Sequence, residues 1–215
     1  MCTNYRSPEK DGFEAFTEFP VPTFEYRPEV YKDYAAPILR RIDGESRTDP
    51  ATFGMVPRKH IPPGVKVFDT MNARTETVGE RRSFSGAWKR LQLCLIPAAW
   101  FYEPNYESGK AVRWRIGMAD GLPFAIAGLW REWAEPEGSA LSFTMLTLNA
   151  ENHLLMHRFH KPGAEKRGLV VLPRDMHDDW LASRSTDEAR SFLSLMPADR
   201  MVAEAWPAPA RSKIA

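Results

Sequence analysis

Apolar and polar positions alternate most cleanly in VRWRIGM, residues 112–118, with Val112, Trp114, Ile116 and Met118 on one side and Arg113 and Arg115 on the other. A period of two marks a half-buried β-strand. Neighbouring runs predict more strands: CLIPAAWFYE (94–103), PFAIAGLW (123–130), LSFTMLTL (141–148) and RGLVVL (167–172) are apolar, with aromatic and β-branched residues throughout. Helical spacing is confined to three places. Phe84, Trp88 and Leu91 fall on one face of FSGAWKRLQ, AENHLLMHRF (150–159) has a similar period, and Ser185 with Glu188 fits a capping box for a helix running to about Met196. Residues 1–50 show neither period and read as an irregular wrapping segment, with only YAAPILR resembling a short strand. Strands following strands, with helices inserted, predict an α+β fold: mainly antiparallel β, curved sheets forming a partly closed barrel, flanked by short helices. No internal repeat or low-complexity linker interrupts residues 1–215, which read as a single domain.

Composition narrows the class. At 215 residues and 43% hydrophobic, the chain can bury a sizeable core. Net charge is +1, so an anion is met by a local basic patch rather than by an overall field. The first twenty residues carry Arg6, Glu9, Lys10, Asp11, Glu14 and Glu18 and no apolar signal-like core. Leu93–Tyr102 is too short to span a bilayer and contains a proline. Cys2 and Cys94, as the two cysteines, do not make a disulfide framework. The expectation is a reduced, cytoplasmic, monomeric protein with no membrane segment and no cofactor.

Four places carry chemistry. Cys2 follows Met1 directly, so loss of Met1 would give a terminus bearing both an amine and a thiol. An α-amino group has a pKa of about 7.7–8.0 against about 10.4 for lysine, so far more of it is neutral and nucleophilic at pH 7. With the thiol it can capture an aldehyde, first as a Schiff base and then as a five-membered thiazolidine. TMNARTET (70–77) would place Asn72, Arg74 and Glu76 on one strand face; an amide beside a guanidinium suits gripping a phosphate, although a solvated strand edge reads the same way. Glu103 lies among Trp100, Phe101, Tyr102 and Pro104, where burial would raise its pKa towards that of a neutral-range acid or base, the alternative being a strand end facing water. His153 and His157 are spaced i, i+4 but lack the Glu of H-E-x-x-H, which disfavours a zinc pair, so no metal is expected. His160 precedes the turn Lys161-Pro162-Gly163 and the cations Lys166 and Arg167, a setting for acid–base work near an anion.

In order, these pieces resemble the SRAP family, the SOS-response-associated peptidase domain. Its members begin Met-Cys and carry N-A-R-x-E-T (here Asn72–Thr77), C-L-I-P-A-x-x-F-Y-E (Cys94–Glu103), A-G-L-W (Ala127–Trp130) and a late T-x-x-A…H stretch (from Thr147), with FGMVP (53–57) as the aromatic-Gly-x-x-Pro turn. The resemblance covers nearly the whole chain. It implies a sensor of abasic sites in single-stranded DNA that loses Met1 and forms a thiazolidine DNA–protein crosslink, with self-processing of the amino terminus. It further implies Cys2 as nucleophile, Asn72 as the group positioning it, Glu103 as proton shuttle and His160 as a helper at the sugar. Arg74, Thr147, Arg6 and Arg167 are the implied DNA contacts. Three departures stand out. Trp100 replaces a glycine, which reshapes the loop expected to hold Glu103; the family's H-x-R-M-P opens into His160…Arg167, leaving His157 as a rival; and Asn4 stands where many members have arginine, with Arg6 as the substitute. Two other functions fit the sequence: a cysteine peptidase acting on proteins with the same residues, and a non-catalytic single-strand binder using Arg113, Arg115 and exposed tryptophans.

Overall fold

Long hairpins organise the computed structural model, which describes residues 2–207. In chain order it contains β1 (Asn4–Arg6), β2 (Glu29–Tyr31), β3 (Ala35–Ile42), β4 (Glu45–Phe53), β5 (Asn72–Arg74), α1 (Ser85–Lys89), β6 (Leu93–Ala98), β7 (Trp100–Asn105), β8 (Val112–Met118), β9 (Phe124–Glu135), β10 (Gly138–Asn149), β11 (Arg167–Leu169), β12 (Val171–Leu172), α2 (His177–Leu181), α3 (Thr186–Ser191) and β13 (Met201–Ala205). Five strands close a barrel in the order β10-β4-β3-β6-β9 and back to β10. The β9–β10 hairpin runs from Glu135↔Gly138 to Gly128↔Met145 and matches the β3–β4 hairpin in length. A second sheet, ordered β13-β8-β7-β1-β2, is antiparallel throughout.

Near Asn149 the neighbours of β10 change. β5 pairs with it in parallel at Met145–Thr147, and β11 pairs antiparallel at Thr147–Asn149. Thr147 therefore lies between two short strands that each carry site residues. Alternation along β9 feeds two separate cores. Ile126 joins Tyr5, Phe53, Phe101, Ile116 and Phe143 between barrel and second sheet, while Ala125, Ala127 and Leu129 meet Trp88 of α1 and Trp180 of α2. Trp180 is fully buried and donates its indole N–H to the Cys94 carbonyl at 3.1 Å. An aromatic that large repays the ordering of a five-residue helix with about 1.5–3 kcal/mol of burial.

Several sequence expectations change. Residues 1–50 hold four strands, including the β3–β4 hairpin, paired from Ala35↔Thr52 to Ile42↔Glu45. The segment 150–159 is turns with one 3₁₀ turn at Met156–Arg158. The last helix stops at Ser191 rather than near Met196, because Leu195 turns in against Gly168. Ser185 does cap it, accepting from the Glu188 amide at 3.1 Å. The strand carrying Asn72 ends at Arg74, so Glu76 lies in the following turn and not on a shared face. Trp100 opens a regular strand rather than a reshaped loop.

Candidate active site

The site forms where two segments share one edge of β7. Along its other edge β7 is paired with β8, from Phe101↔Ile116 to Asn105↔Val112. On the near edge β1 pairs at Trp100 and Phe101. Two residues further on the 158–160 segment takes over, through a bridge of Phe159 to Asn105 and a 2.9 Å bond from the His160 amide to the Pro104 carbonyl. Glu103 sits in the gap between them. Lys166 secures the incoming loop, its ammonium donating to the carbonyls of Phe159 (2.8 Å) and His160 (3.1 Å). His160 adopts a left-handed backbone (φ 69°), a conformation that costs a side-chain-bearing residue about 1–2 kcal/mol and that histidine tolerates better than most.

This geometry brings His160 Nε2 to 3.4 Å from a Glu103 carboxylate oxygen. Glu103 is 3% exposed and His160 7%. Burial dominates both groups: it pushes the Glu103 carboxyl up to about 7 and His160 down to about 4. A strong ion pair would drive the two values the other way, so near neutrality the couple holds a neutral imidazole beside a carboxyl poised to exchange its proton. Cys2 is 1% exposed, and its thiol donates to the Asn4 carbonyl at 3.2 Å. Burial first, and the Glu103 charge second, raise the thiol to about 12. Asn72 completes the group from β5, donating its amide to the Cys2 carbonyl at 2.6 Å.

A sequence profile described as SOS response associated peptidase (SRAP) matches residues 1–210. The chain belongs to the SRAP family. A crystal structure of a Bordetella bronchiseptica protein is 35% identical and superposes with a TM-score of 0.85 over 96% of this chain and 100% of that one. A Bacteroides thetaiotaomicron protein (19% identity, TM-score 0.75, covering 95% and 91%) and a phage-related Bordetella bronchiseptica protein (18%, 0.69, 97% and 94%) share the SRAP fold. No curated protein matches. SRAP membership sets the chain in the context of the SOS response and DNA damage. No helix among the described residues is long and apolar enough to cross a membrane.

The remaining SRAP-motif residues divide into two groups. Arg74 is half exposed and pairs with Glu165 at 2.7 Å; Arg6, partly exposed, pairs with Glu9 at 2.7 Å beside the Trp100 ring. Arg167 and Thr147 are buried instead. The Arg167 guanidinium forks onto both Glu76 oxygens at 2.8 Å, reaches Glu165 at 2.8 Å, and donates to the Thr147 carbonyl at 2.6 Å and hydroxyl at 3.1 Å. Its hydrogen bonds lower Glu76 to about 2. Lys166 and Arg167, which read in the sequence as cations near an anion, are thus turned inward. His157 lies exposed with Nδ1 on the His153 carbonyl, and His153 contacts the Met196 carbonyl and the Leu155 and Met156 amides. Among the described residues, no group of three or more His, Cys, Asp and Glu could hold a metal. Sequence reasoning gave Asn4 no structural role. It is buried, donates to the Val30 carbonyl at 3.1 Å and accepts from Arg113 at 2.5 Å, and Arg113 also lies 3.4 Å over the Tyr102 ring. An arginine in strict alternation opposite an aromatic strand was the signal for that contact.

Proposed function

We propose that the protein captures abasic sites in single-stranded DNA as a thiazolidine crosslink through Cys2, once Met1, which lies outside the described residues, is removed. The supporting observation is the buried Glu103 carboxyl, with a pKa of about 7, whose charge acts on Cys2 while Asn72 holds the Cys2 carbonyl at 2.6 Å. A proton donor and acceptor is most effective when its pKa lies near the working pH.

The order of events follows from the two nucleophiles. A thiol raised to about 12 stays protonated, so the amine attacks first. Nitrogen bonds to the aldehyde carbon of the ring-opened sugar, and the carbonyl oxygen becomes a hydroxyl. Glu103 gives its proton to that hydroxyl, which leaves as water and generates the iminium. The Cys2 sulfur then bonds to the same carbon, its proton returns to the Glu103 carboxylate, and the nitrogen regains its electron pair. One water is released and Glu103 ends as it began. His160, neutral at this pH, takes the proton of the sugar C1 hydroxyl as the bond from C1 to the ring oxygen breaks, and returns that proton to the ring oxygen, so that the furanose opens to the aldehyde and the imidazole ends neutral. Arg74 and Arg6 hold backbone phosphates, and Arg167 keeps Thr147 and Glu76 in place behind them. The same groups would serve trimming of the Met1–Cys2 bond. A cysteine peptidase acting on other proteins is disfavoured, because such an enzyme needs a thiolate stabilised by a charged histidine, whereas burial here opposes both charges.

Intact-protein mass spectrometry, alone and after mixing with abasic single-stranded DNA, tests this reading. The expected protein lacks Met1 and gains the mass of the oligonucleotide less one water in a heat-stable adduct. Cys2→Ala should lose the adduct, while Cys94→Ala, altered inside the barrel wall, should keep it. An adduct formed as fully by Cys2→Ala as by wild type would refute the proposal.

A further inference from the structure

Away from Cys2, the outer half of β9 carries a cation fixed in place with no acidic partner among the described residues. Arg131 lies on the side of β9 that Leu129 uses to meet α1, and its guanidinium is 3.7 Å from the centre of the Trp133 ring. His60 stacks on the same ring at 4.1 Å and 9°. Two groups this close to one ring must cover opposite faces, so the indole is sandwiched. Trp133 is itself held, donating to the Ser142 hydroxyl at 2.9 Å, which donates to the Met55 carbonyl at 2.9 Å. Glu135, which could have neutralised Arg131, pairs with Lys59 and His60 instead.

A second arginine approaches from the end of α1. The Trp130 amide bonds to the Gln92 carbonyl at 2.9 Å, one step beyond the Leu93↔Leu129 pair, and this brings the end of α1, where Arg90 lies, alongside the Trp130–Arg131 stretch of β9. Arg90 folds back over Gly86, where a Cβ would lie 3.3 Å from its guanidinium, and bonds to the Gln92 side chain at 2.9 Å. Among the described residues neither arginine meets a carboxylate, in contrast to Arg6, Arg40, Arg113, Arg115 and Arg158, which all do. Burial, and then the charge of Arg90, lower the proton affinity of Arg131. Arg81, Arg82 and Lys89 are exposed on the same segment and also lack acidic partners among the described residues. Two like charges, one held on the Trp133 ring and the other bonded to Gln92, favour an anion from outside.

We infer that Arg90 and Arg131 form a phosphate site that holds the backbone of a single DNA strand, with the exposed Arg81, Arg82 and Lys89 of the same segment as further cations. This rests on the reading of Cys2 as a DNA-capturing group and extends it to a second contact remote from the reaction. Guanidinium forks match phosphate oxygens bidentately. A run of five cations along 81–90 and 131 exceeds what one free phosphate would recruit and suits a chain of phosphates.

The test uses the full chain and undamaged single-stranded oligonucleotides, which cannot crosslink. Neutralising two phosphate contacts in R90Q/R131Q should make the slope of log affinity against log salt shallower by about 1.4, at about 0.7 per phosphate, with an unchanged melting temperature. The Trp133 indole N–H resonance should shift on adding oligonucleotide but not on adding inorganic phosphate at the same phosphate concentration. A wild-type slope in the double variant overturns the site, and an equal response to inorganic phosphate overturns the strand as its ligand. Adduct yield with a short abasic oligonucleotide should be the same for wild type and R90Q/R131Q. Loss of that yield in wild type would count against the Cys2 chemistry and leave the slope measurement to judge the arginine site alone.

Discussion

Glu103 is stabilised neutral by the fold, and this gives the site a pH signature. Its folded pKa of about 7 lies above the ordinary carboxyl value of 4.5, so its contribution to stability is full below about pH 4.5 and is lost as pH rises through 7. Glu103→Gln removes that loss while keeping size and hydrogen bonding. Denaturant titrations should find the variant more stable than wild type by roughly 1–3 kcal/mol above pH 7, with the difference vanishing near pH 4; equal stability at both ends would mean that the carboxyl is not protonated by burial. The same variant should slow crosslinking by roughly 10²–10⁴, the usual loss of a general acid–base group. His160→Ala should also slow the step, and His157→Ala much less, since His157 is exposed and bonded to its own turn. Single-turnover crosslinking rates rank the three, and a larger loss in His157→Ala would reverse the assignment of the two histidines. Glu103 was legible from the aromatics around it. The bond from Asn72 to the Cys2 carbonyl joins residues 70 apart, and no local pattern encodes it.

Among the elements, β8 shows how far periodicity reaches: Ile116 and Met118 are buried and Arg113 and Arg115 point away, as the alternation requires. Periodicity fails where the partner strand supplies the order. β4 reads ESRTDPATF, too polar to register as a strand alone, yet β3 pairs with its whole length and Arg40 meets Asp49 across the ladder at 2.6 Å. The run 94–103 reads as one strand but breaks at Ala99, whose amide bonds to the Arg6 carbonyl at 2.8 Å, and the two halves enter different sheets. At 150–159 helical spacing gives way because His153 takes the Leu155 and Met156 amides and Phe159 is drawn into its bridge with Asn105. Gly128 marks a close crossing in the barrel: a Cβ there would lie 2.4 Å from the Ile96 side chain and 2.6 Å from the Thr144 carbonyl. Backbone cannot yield as a side chain can, so Gly128→Ala should cost at least about 1–3 kcal/mol, the usual penalty of overpacking. A melting temperature equal to wild type would show the barrel to be more compliant than this.

At the scale of the whole molecule, the fold class and its barrel were readable from the succession of strand-like runs, while the strand pairing that completes the barrel was not. Closure depends on β10 pairing in parallel with β4 and antiparallel with β9, a choice made in three dimensions. The site draws on residues 2, 72, 103 and 160, so it exists only when the barrel and the second sheet have both formed. The pairing of β1 with β7 adds a temporal consequence. Tyr5 opposes Phe101, which lies 96 positions later in the chain (101 − 5). At synthesis rates of about 5–20 residues per second, β1 and the Cys2 that precedes it wait roughly 5–20 s for β7, with β2 alone available for pairing in the meantime. During that interval the cysteine that ends 1% exposed is open to solvent, to oxidants and to any enzyme that trims an amino terminus. Late docking of β1 thus acts as a clock: whatever must be done to the nucleophile by another enzyme is done on the nascent chain, before the sheet closes over it.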